Sequence, residues 1–198
     1  MSHRDLVTLP PDEPYWERFL SVFPLVLVAT MEEWGEHDIA PKHMAMPMGW
    51  DNWFGFVCSP RHGTWRNAVR TGVFTVSYAP PSQVLLTSFA AAPRCGPHKP
   101  ALEALEVFPA QVVEGVLVEH CAVHLECELH ETVEGLGECG LIIGRVVAAH
   151  AHPDVLLDAD RDDNDLLARH PLLAYLHPGR FAVVAESQGF PWPAGFRR

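Results

Sequence analysis

Long apolar runs are missing from this chain. No segment approaches the roughly 20 consecutive apolar residues that a membrane-spanning helix needs, and the polar N-terminus, MSHRD, is not followed by the apolar core of a secretory signal. With 48% hydrophobic and 20% charged residues among 198, the composition is that of a globular protein. We therefore expect a cytoplasmic protein without a membrane partner, folded as a single domain over residues 1–198.

Basic residues are scarce. The chain has 14 Lys and Arg against 25 Asp and Glu, which gives a formal net charge of −11 at pH 7. Such a surface repels polyphosphates, so nucleic acids and anionic membranes are excluded as expected partners. A small anion can still bind where the local electrostatic field is reversed.

Regular cysteine spacing and common catalytic motifs are also missing. The five cysteines are odd in number and irregularly spaced, which argues against a disulfide framework. The chain has no Cys-x-x-Cys, no His-Glu-x-x-His and no Gly-x-Ser-x-Gly, so a hydrolase built on Ser59 and His62 is disfavoured. His120 and His124 are the best metal candidates among 12 histidines. Alternate residues on one strand face lie about 7 Å apart, however, and we expect no metal site.

Hydrophobic periodicity predicts a mainly β protein. We predict a helix over Asp12–Val22, a buried strand over Phe23–Met31, an edge segment limited by Pro41 and Pro47, and a strand over 50–58. Further strands and a C-terminal strand bring the total to six or seven, with few short helices between them. This order favours an antiparallel barrel over a doubly wound sheet.

Strict alternation begins near residue 120 and predicts a long half-buried strand. One face carries Cys121, Val123, Leu125, Cys127 and Leu129, and the other carries His120, His124, Glu126, Glu128 and His130. We expect the first face in the core and the second in water or at an interface. The run GLGECG predicts a hairpin turn, and LIIGRVVAAHAH the returning strand.

The arginines of this acidic chain collect in SPRHGTWRNAVRTGVFTVS, residues 59–77. A helix that begins directly after a strand exposes unpaired N–H groups and about half a positive charge, and phosphate groups often bind there. Thr64, Arg61 and Asn67 add hydroxyl, guanidinium and amide donors in reach of such an anion. A capped helix with solvated arginines remains the alternative on this stretch alone.

Five segments in this order, FPLVLVAT, DIAPKHMAMPM, FGFVCSPRHGTWRNAVRTGVFTVS, VHLECELHE and LIIGRVVAAHAH, resemble the flavin reductase-like family, close to its flavoredoxin group. The resemblance covers about residues 20–185. It implies a split β-barrel of the FMN-binding type, antiparallel and Greek-key. A polar N-terminal arm and a tail rich in proline and aromatics would flank this core.

The resemblance also implies the cofactor contacts. The segment after the third strand holds the phosphate and ribityl chain of FMN in the family, and the extended segment before it lies along the isoalloxazine ring. Two residues depart from the family pattern, since Asp38 replaces the usual Asn and His43 a small hydroxyl residue. The phosphate segment gives Cys58, Ser59, Arg61, His62, Thr64 and Asn67, and the ring segment gives Asp38, Ala40, Pro41, Lys42 and His43.

Two positions in these segments and one near the C-terminus keep a second interpretation. Cys58 could be a reactive thiol beside a helix N-terminus, but its place in an apolar strand favours a buried cysteine. His177 and Arg180 lie in LHPGRF, where the family's segment folds back towards the flavin; a simple turn with a solvated arginine is the alternative.

The expected function follows from the resemblance. It implies a reductase that passes hydride from NADH or NADPH to flavin, which is FMN or alternatively FAD. Because flavin carries its own hydride chemistry, no catalytic side chain is required. The family also implies a homodimer, and an oxygenase or electron-transfer partner fits the same reading. A non-enzymatic FMN electron carrier and an FMN-free barrel for another small ligand are the alternatives.

Overall fold

The structure is a computed structural model that describes residues 5–94, 98–158, 160–193 and 195. Within these ranges the chain forms four short α-helices and twelve strands, and the strands make three sheets in which every pair is antiparallel. The helices are α1 Gly63–Thr71, α2 Val84–Phe89, α3 Pro100–Glu103 and α4 Asp163–Arg169. The strands are β1 Ser21–Pro24, β2 Val26–Met31, β3 His37–Lys42, β4 Ala45–Pro47, β5 Trp53–Cys58, β6 Val73–Tyr78, β7 Val107–Pro109, β8 Val116–Val118, β9 Val123–Leu136, β10 Cys139–Ala151, β11 Leu172–His177 and β12 Arg180–Val184.

The main sheet has seven strands in the order β3-β2-β6-β9-β10-β5-β4 and curls into a half-barrel, which confirms the expected fold class. β2 is buried on both faces, because Val26 and Val28 belong to one core cluster and Leu27 and Ala29 to the other. β3 and β4 lie at the two edges, as their prolines predicted.

Helix α1 packs against the curled sheet through Trp65 and Ala68, which belong to the core cluster that contains Phe56 and Phe74. Gly140 on β10 is essential to this contact. A Cβ added there would come within 2.6 Å of the Trp65 ring and 2.8 Å of the Val133 carbonyl oxygen. The close approach fixes the helix on the sheet and so positions its N-terminus.

The long hairpin β9–β10 is confirmed, but one face of β9 differs from the prediction. His124 and Glu126 are buried, with 6% and 0% of their surface exposed, whereas Glu128 and His130 are exposed. The segment before β8 folds over this half of the strand, and Glu126 accepts hydrogen bonds from the backbone N–H groups of residues 111–113. The covering residues lie 13–15 positions before Glu126 in the sequence, and the alternation of polar and apolar residues within one strand cannot predict such a contact.

The turn of this hairpin carries a second observation. Its run GLGECG, residues 135–140, has the Gly-x-Gly-x-x-Gly spacing of a dinucleotide-binding loop. Here the glycines connect two antiparallel strands and do not open a helix, and Gly135 and Gly137 adopt positive φ angles of 89° and 67°. These glycines therefore form a hairpin turn and not a dinucleotide-binding loop.

Both ends of the fold differ from the prediction. The helix predicted over Asp12–Val22 is only a 3-10 turn at Tyr15–Glu17, and β1 begins at Ser21. The single strand predicted over Phe23–Met31 is two strands in different sheets. β1 instead joins β11 and β12, so the short C-terminal strand that was expected is one half of a hairpin.

None of the helices in the described ranges has the length and apolar character needed to cross a bilayer.

Candidate functional site

A cleft of ≈ 720 Å³ opens where the N-terminus of α1 faces β3 and the segment after α2. Three parts of the chain supply its walls: the turn and strand from Glu32 to Lys42, the start of α1, and residues 90–94 together with Lys99. β3 is an edge strand of the main sheet, but Arg94 and Lys99 donate hydrogen bonds to the carbonyl oxygens of His37 and Ile39. The part of β3 that remains accessible in the cleft is residues 40–42.

The start of α1 presents backbone donors to the cleft. The side chain of the N-cap residue, His62, makes no capping hydrogen bond, and the N–H groups of Gly63 and Thr64 have no acceptor among the described residues. A tight turn leads into the helix, since the His62 N–H donates to the Ser59 carbonyl oxygen at 3.0 Å and the Arg61 N–H to Ser59 Oγ at 3.3 Å. The first turn is therefore available to an anion.

The arginines of the same stretch have different surroundings. Arg61 is exposed and lies 3.6 Å from Glu138, while Arg66 donates to the Arg61 carbonyl oxygen. Arg70 donates to the backbone of Met31 and does not line the cleft. Only the first two are placed to meet a ligand.

Across the cleft lies a buried ionic network that sequence reasoning missed. Lys99 Nζ donates to Asp38 Oδ1 at 3.0 Å and to the Ile39 carbonyl oxygen at 2.7 Å. Arg94 lies 3.5 Å from the same Asp38 oxygen and 3.3 Å from Glu32, and its guanidinium stacks 5.6 Å from the centre of the Trp34 ring. This network explains the departure from the family's Asn at position 38, because a carboxylate is needed between two buried cations.

The network also determines the local field. The carboxylates of Glu32 and Asp38 lie near the start of α1, where a Cβ on Gly63 would meet them at 3.5 and 3.7 Å. Their charges are balanced by Arg94 and Lys99. Five basic and three acidic side chains line the cleft, and two further acids, Glu36 and Glu138, lie 3.7 Å from Arg94 and 3.6 Å from Arg61. The cleft and its ion-pair partners are therefore balanced in charge, in a chain whose formal net charge is −11.

Lys42, Cys58 and His62 meet below the helix N-terminus. Burial raises the pKa of the Cys58 thiol, although Lys42 and the Trp65 N–H act in the opposite direction. The thiol is 3% exposed, so Cys58 is a buried structural cysteine and not an activated nucleophile. Burial, Lys42 and Arg66 lower the pKa of His62, which leaves its ring neutral at pH 7.

His43 lies on the far side of β3 in an aromatic cluster with the C-terminal hairpin. Its ring centre is 4.4 Å from that of Tyr175 and 5.6 Å from that of His177. Burial, His177 and Lys42 lower the pKa of His43, and the buried nitrogens His43 Nε2 and His177 Nδ1 have no hydrogen-bond partner. Arg180, in contrast, is exposed.

The predicted cofactor contacts therefore divide into two groups. Eight of them line the cleft together: Asp38, Ala40, Pro41, Lys42, Arg61, His62, Thr64 and Asn67. The other five do not line it: His43, Cys58, Ser59, His177 and Arg180. Arg94 and Lys99 were missed because two single basic residues between α2 and α3 carry no motif that marks them as part of a site.

The comparison with known families decides the identity of the fold. A family model described as "Flavin reductase like domain" matches residues 21–173. The chain belongs to this family. It is a member of a family of flavin-related oxidoreductases, and its mainly antiparallel split-barrel fold is that of flavin reductase-like proteins.

Solved structures share this architecture at low sequence identity. Nitrilotriacetate monooxygenase component B from Bacillus cereus has 20% identity and a TM-score of 0.79, with 93% of this chain and 98% of that chain covered. Flavoredoxin from Desulfovibrio vulgaris (Miyazaki F) has 18% identity and a TM-score of 0.76, with 96% and 100% covered. The 2-nitrobenzoate 2-nitroreductase from Pseudomonas fluorescens has 15% identity and a TM-score of 0.73, with 89% of this chain and 87% of that chain covered. These likenesses establish the fold.

Proposed function

We propose that this flavin reductase-like protein binds FMN in the cleft and passes hydride from NADH or NADPH to it. The observation that carries the proposal is the uncapped N-terminus of α1, which opens on a cleft lined by five basic and three acidic side chains in an otherwise acidic chain. A flavin mononucleotide ends in a phosphate dianion, and this is the place in the described molecule where such a charge is balanced.

The phosphate end of FMN fits the residues present. Within the described part of the chain the N–H groups of Gly63 and Thr64 find no acceptor, and Thr64 contributes a hydroxyl donor beside them. Arg61 and Arg66 line the same end and would bind phosphate oxygens with their guanidinium groups. Asn67 is committed more deeply, since its amide donates to Thr30 Oγ1 at 3.3 Å. We assign it a positioning role.

The ring end of FMN would lie along β3. Ala40 and Pro41 offer small apolar side chains to the ring, and Lys42 places a cation at the end of this strand. When bound, FMN supplies the hydride-accepting chemistry, and the side chains of this cleft bind and orient it. A positive charge beside the ring favours its reduced form. Nothing in this arrangement requires a nucleophilic or acid–base side chain from the protein.

The proposal includes two partners. We propose a homodimer in which a second copy of the chain covers the exposed aromatic edge of the three-stranded sheet. For the reduced flavin we propose an oxygenase or electron-transfer protein as acceptor, because one structural relative is named as component B of a monooxygenase and others as flavoredoxins. The flavoredoxin likeness also favours a second candidate function, in which the protein relays electrons without oxidising a pyridine nucleotide itself.

Flavin binding is tested first. Purified protein freed of small molecules is titrated with FMN, with FAD and with riboflavin, and flavin fluorescence quenching gives each Kd. We expect FMN to bind more tightly than riboflavin, because only FMN has the phosphate that the α1 N-terminus receives. Equal affinity for FMN and riboflavin would contradict the phosphate assignment, and no binding of any flavin would leave the alternative of another small ligand.

Reduction is tested on the FMN-loaded protein. NADH or NADPH is mixed with it anaerobically, and the flavin absorbance near the visible maximum is followed by stopped flow. Rapid bleaching with either nucleotide identifies a reductase and shows which nucleotide it uses. Bleaching by dithionite but by neither nucleotide would identify an electron carrier and overturn the reductase assignment.

A further inference from the structure

A cluster of two histidines and one aspartate lies far along the chain from the cleft residues. His152 and Asp154 belong to the 3-10 turn that follows β10, and His170 ends helix α4. One ligand atom from each of the three side chains can be chosen so that all lie within 4.8 Å of one another. We propose that these three residues form a binding site for a divalent zinc-class metal ion.

The distances are close to those that a metal requires. His152 Nδ1 lies 3.6 Å from Asp154 Oδ2, and His170 Nε2 lies 3.9 Å from the same oxygen. Ligands about 2.0–2.1 Å from a tetrahedral zinc ion stand about 3.3 Å apart, so small side-chain rotations complete the site. His152 Nδ1 also accepts the Asp154 N–H at 3.3 Å, a long hydrogen bond that metal coordination through this nitrogen would replace.

The donor set selects the class of ion. Imidazole nitrogen with one carboxylate suits zinc and the neighbouring late first-row ions, whereas magnesium and calcium prefer oxygen ligands throughout. The three side chains are 58%, 52% and 32% exposed in the order His152, Asp154, His170, so water can reach the fourth position. An open site of this kind exchanges its metal freely.

The charge of the connecting segment favours a cation. Between Asp154 and His170 the sequence carries five further aspartates and two arginines, Arg161 and Arg169, which gives this segment a net charge of −3. A negatively charged segment attracts divalent cations. The aspartates are Asp158, Asp160, Asp162, Asp163 and Asp165.

A bound ion would tie two parts of the fold together. β10 ends the seven-stranded sheet's long hairpin, and α4 leads directly into β11 of the three-stranded sheet. The metal would close the loop between Asp154 and His170 and hold the end of one sheet to the start of the other. Since the folded chain assembles the ligands and the unfolded chain separates them, zinc should raise the melting temperature.

The test uses the full chain treated with a chelator and then desalted. Zinc chloride is titrated in by calorimetry, and His170→Asn and Asp154→Asn are compared with the wild type. We expect one site per chain, and a loss of affinity in each variant at least as large as the 10- to 100-fold that removal of a mere outer-shell partner causes. His120→Asn is the matched control, because His120 is an exposed histidine 3.5 Å from a single carboxylate, Glu106.

A cobalt titration separates this site from the cysteines. Co²⁺ held by nitrogen and oxygen gives visible d–d bands without the near-ultraviolet sulfur charge-transfer band that a cysteine ligand adds. We expect the first pattern, with the bands lost in His170→Asn and retained in His120→Asn, and circular dichroism confirming that both variants fold. The proposal would be overturned if the wild type bound no zinc or if His170→Asn bound it as tightly as the wild type. A sulfur charge-transfer band in the cobalt spectrum would overturn it as well.

Discussion

At the scale of single residues, Thr64 shows how the cleft is built. It is a polar residue in the first turn of α1, only 2% exposed, and it lines the cleft beside two N–H groups for which the described residues offer no acceptor. We expect Thr64→Val, which keeps the shape and removes the hydroxyl, to weaken FMN binding by about 1–3 kcal/mol, the range for a hydrogen bond to a charged group. Fluorescence titration with FMN measures the change.

The control lies at the other end of the same helix. Thr71 donates to the Asn67 carbonyl oxygen at 2.9 Å and does not line the cleft. Thr71→Val should therefore leave the Kd for FMN unchanged even where it lowers the stability of α1. A Thr64→Val protein that binds FMN as tightly as the wild type would remove this threonine from the phosphate site.

Glu126 is the most completely buried acid of the described residues. Burial alone would raise its pKa, but hydrogen bonds from the N–H groups of Gln111, Val113 and Val112 and from the His150 side chain, at 2.6–2.9 Å, outweigh burial and lower the pKa below 4.5. An acid whose pKa is depressed by folding stabilises the protein above its unfolded pKa. That contribution disappears as the pH falls through the folded value.

We therefore expect Glu126→Gln to lower the free energy of unfolding by about 3 kcal/mol at pH 7, since a neutral amide cannot accept three backbone N–H groups as a carboxylate does. The difference between the variant and the wild type should shrink as the pH is lowered below 4.5. Urea unfolding at several pH values measures it. A difference that stays constant down to pH 3 would show that the charge of Glu126 is not the cause.

At the scale of elements, the pair Asp38–Lys99 connects β3 to the segment before α3 across 61 residues of sequence. Asp38→Asn would restore the residue that the family usually carries, yet we expect it to destabilise this protein by about 3 kcal/mol, because Lys99 would lose its buried counter-charge, whereas Arg94 would keep Glu32. Thermal or urea unfolding detects the loss. Asp38→Asn combined with Lys99→Met should recover part of it.

The matched control for this pair is Asp51→Asn. Asp51 is an exposed aspartate in the turn before β5, and surface substitutions of this kind usually change stability by less than about 0.5 kcal/mol. If Asp38→Asn proves as harmless as Asp51→Asn, the network across the cleft contributes no stability, and its role is limited to the local field.

The elements that the sequence predicted well are those with local signals. The apolar run of β2, the helix that begins at Gly63 and the β9–β10 hairpin each follow from periodicity and turn residues within about 20 positions. The three-stranded sheet was missed because β1 pairs with β11, more than 140 residues later. The site divides in the same way: Thr64 and Lys42 lie in recognisable segments, whereas Lys99 reaches Asp38 only through the tertiary fold.

At the scale of the whole molecule, the three-stranded sheet leaves the outer part of an apolar face exposed, on strand β12. Phe23, Tyr175 and Phe181 are direct neighbours across β1, β11 and β12, so their side chains form one aromatic row. The inner part of the row packs against His43, but Phe181 is 54% exposed and Val183, two residues further on the same strand, 49%. An exposed aromatic edge of this kind is typical of a protein interface.

We propose that a second copy of the chain covers this face, and we expect light scattering after size exclusion to give twice the 22.0-kDa chain mass. Phe181→Asp places a charge in the contact and should shift the protein to the monomer mass. Leu136→Asp is the control, since Leu136 is equally exposed, at 53%, but lies at the tip of the β9–β10 hairpin. A wild-type protein that is a monomer would contradict the proposed dimer. A Phe181→Asp protein that remains dimeric would place the interface elsewhere, because an aspartate cannot be buried against an aromatic row without a partner for its charge.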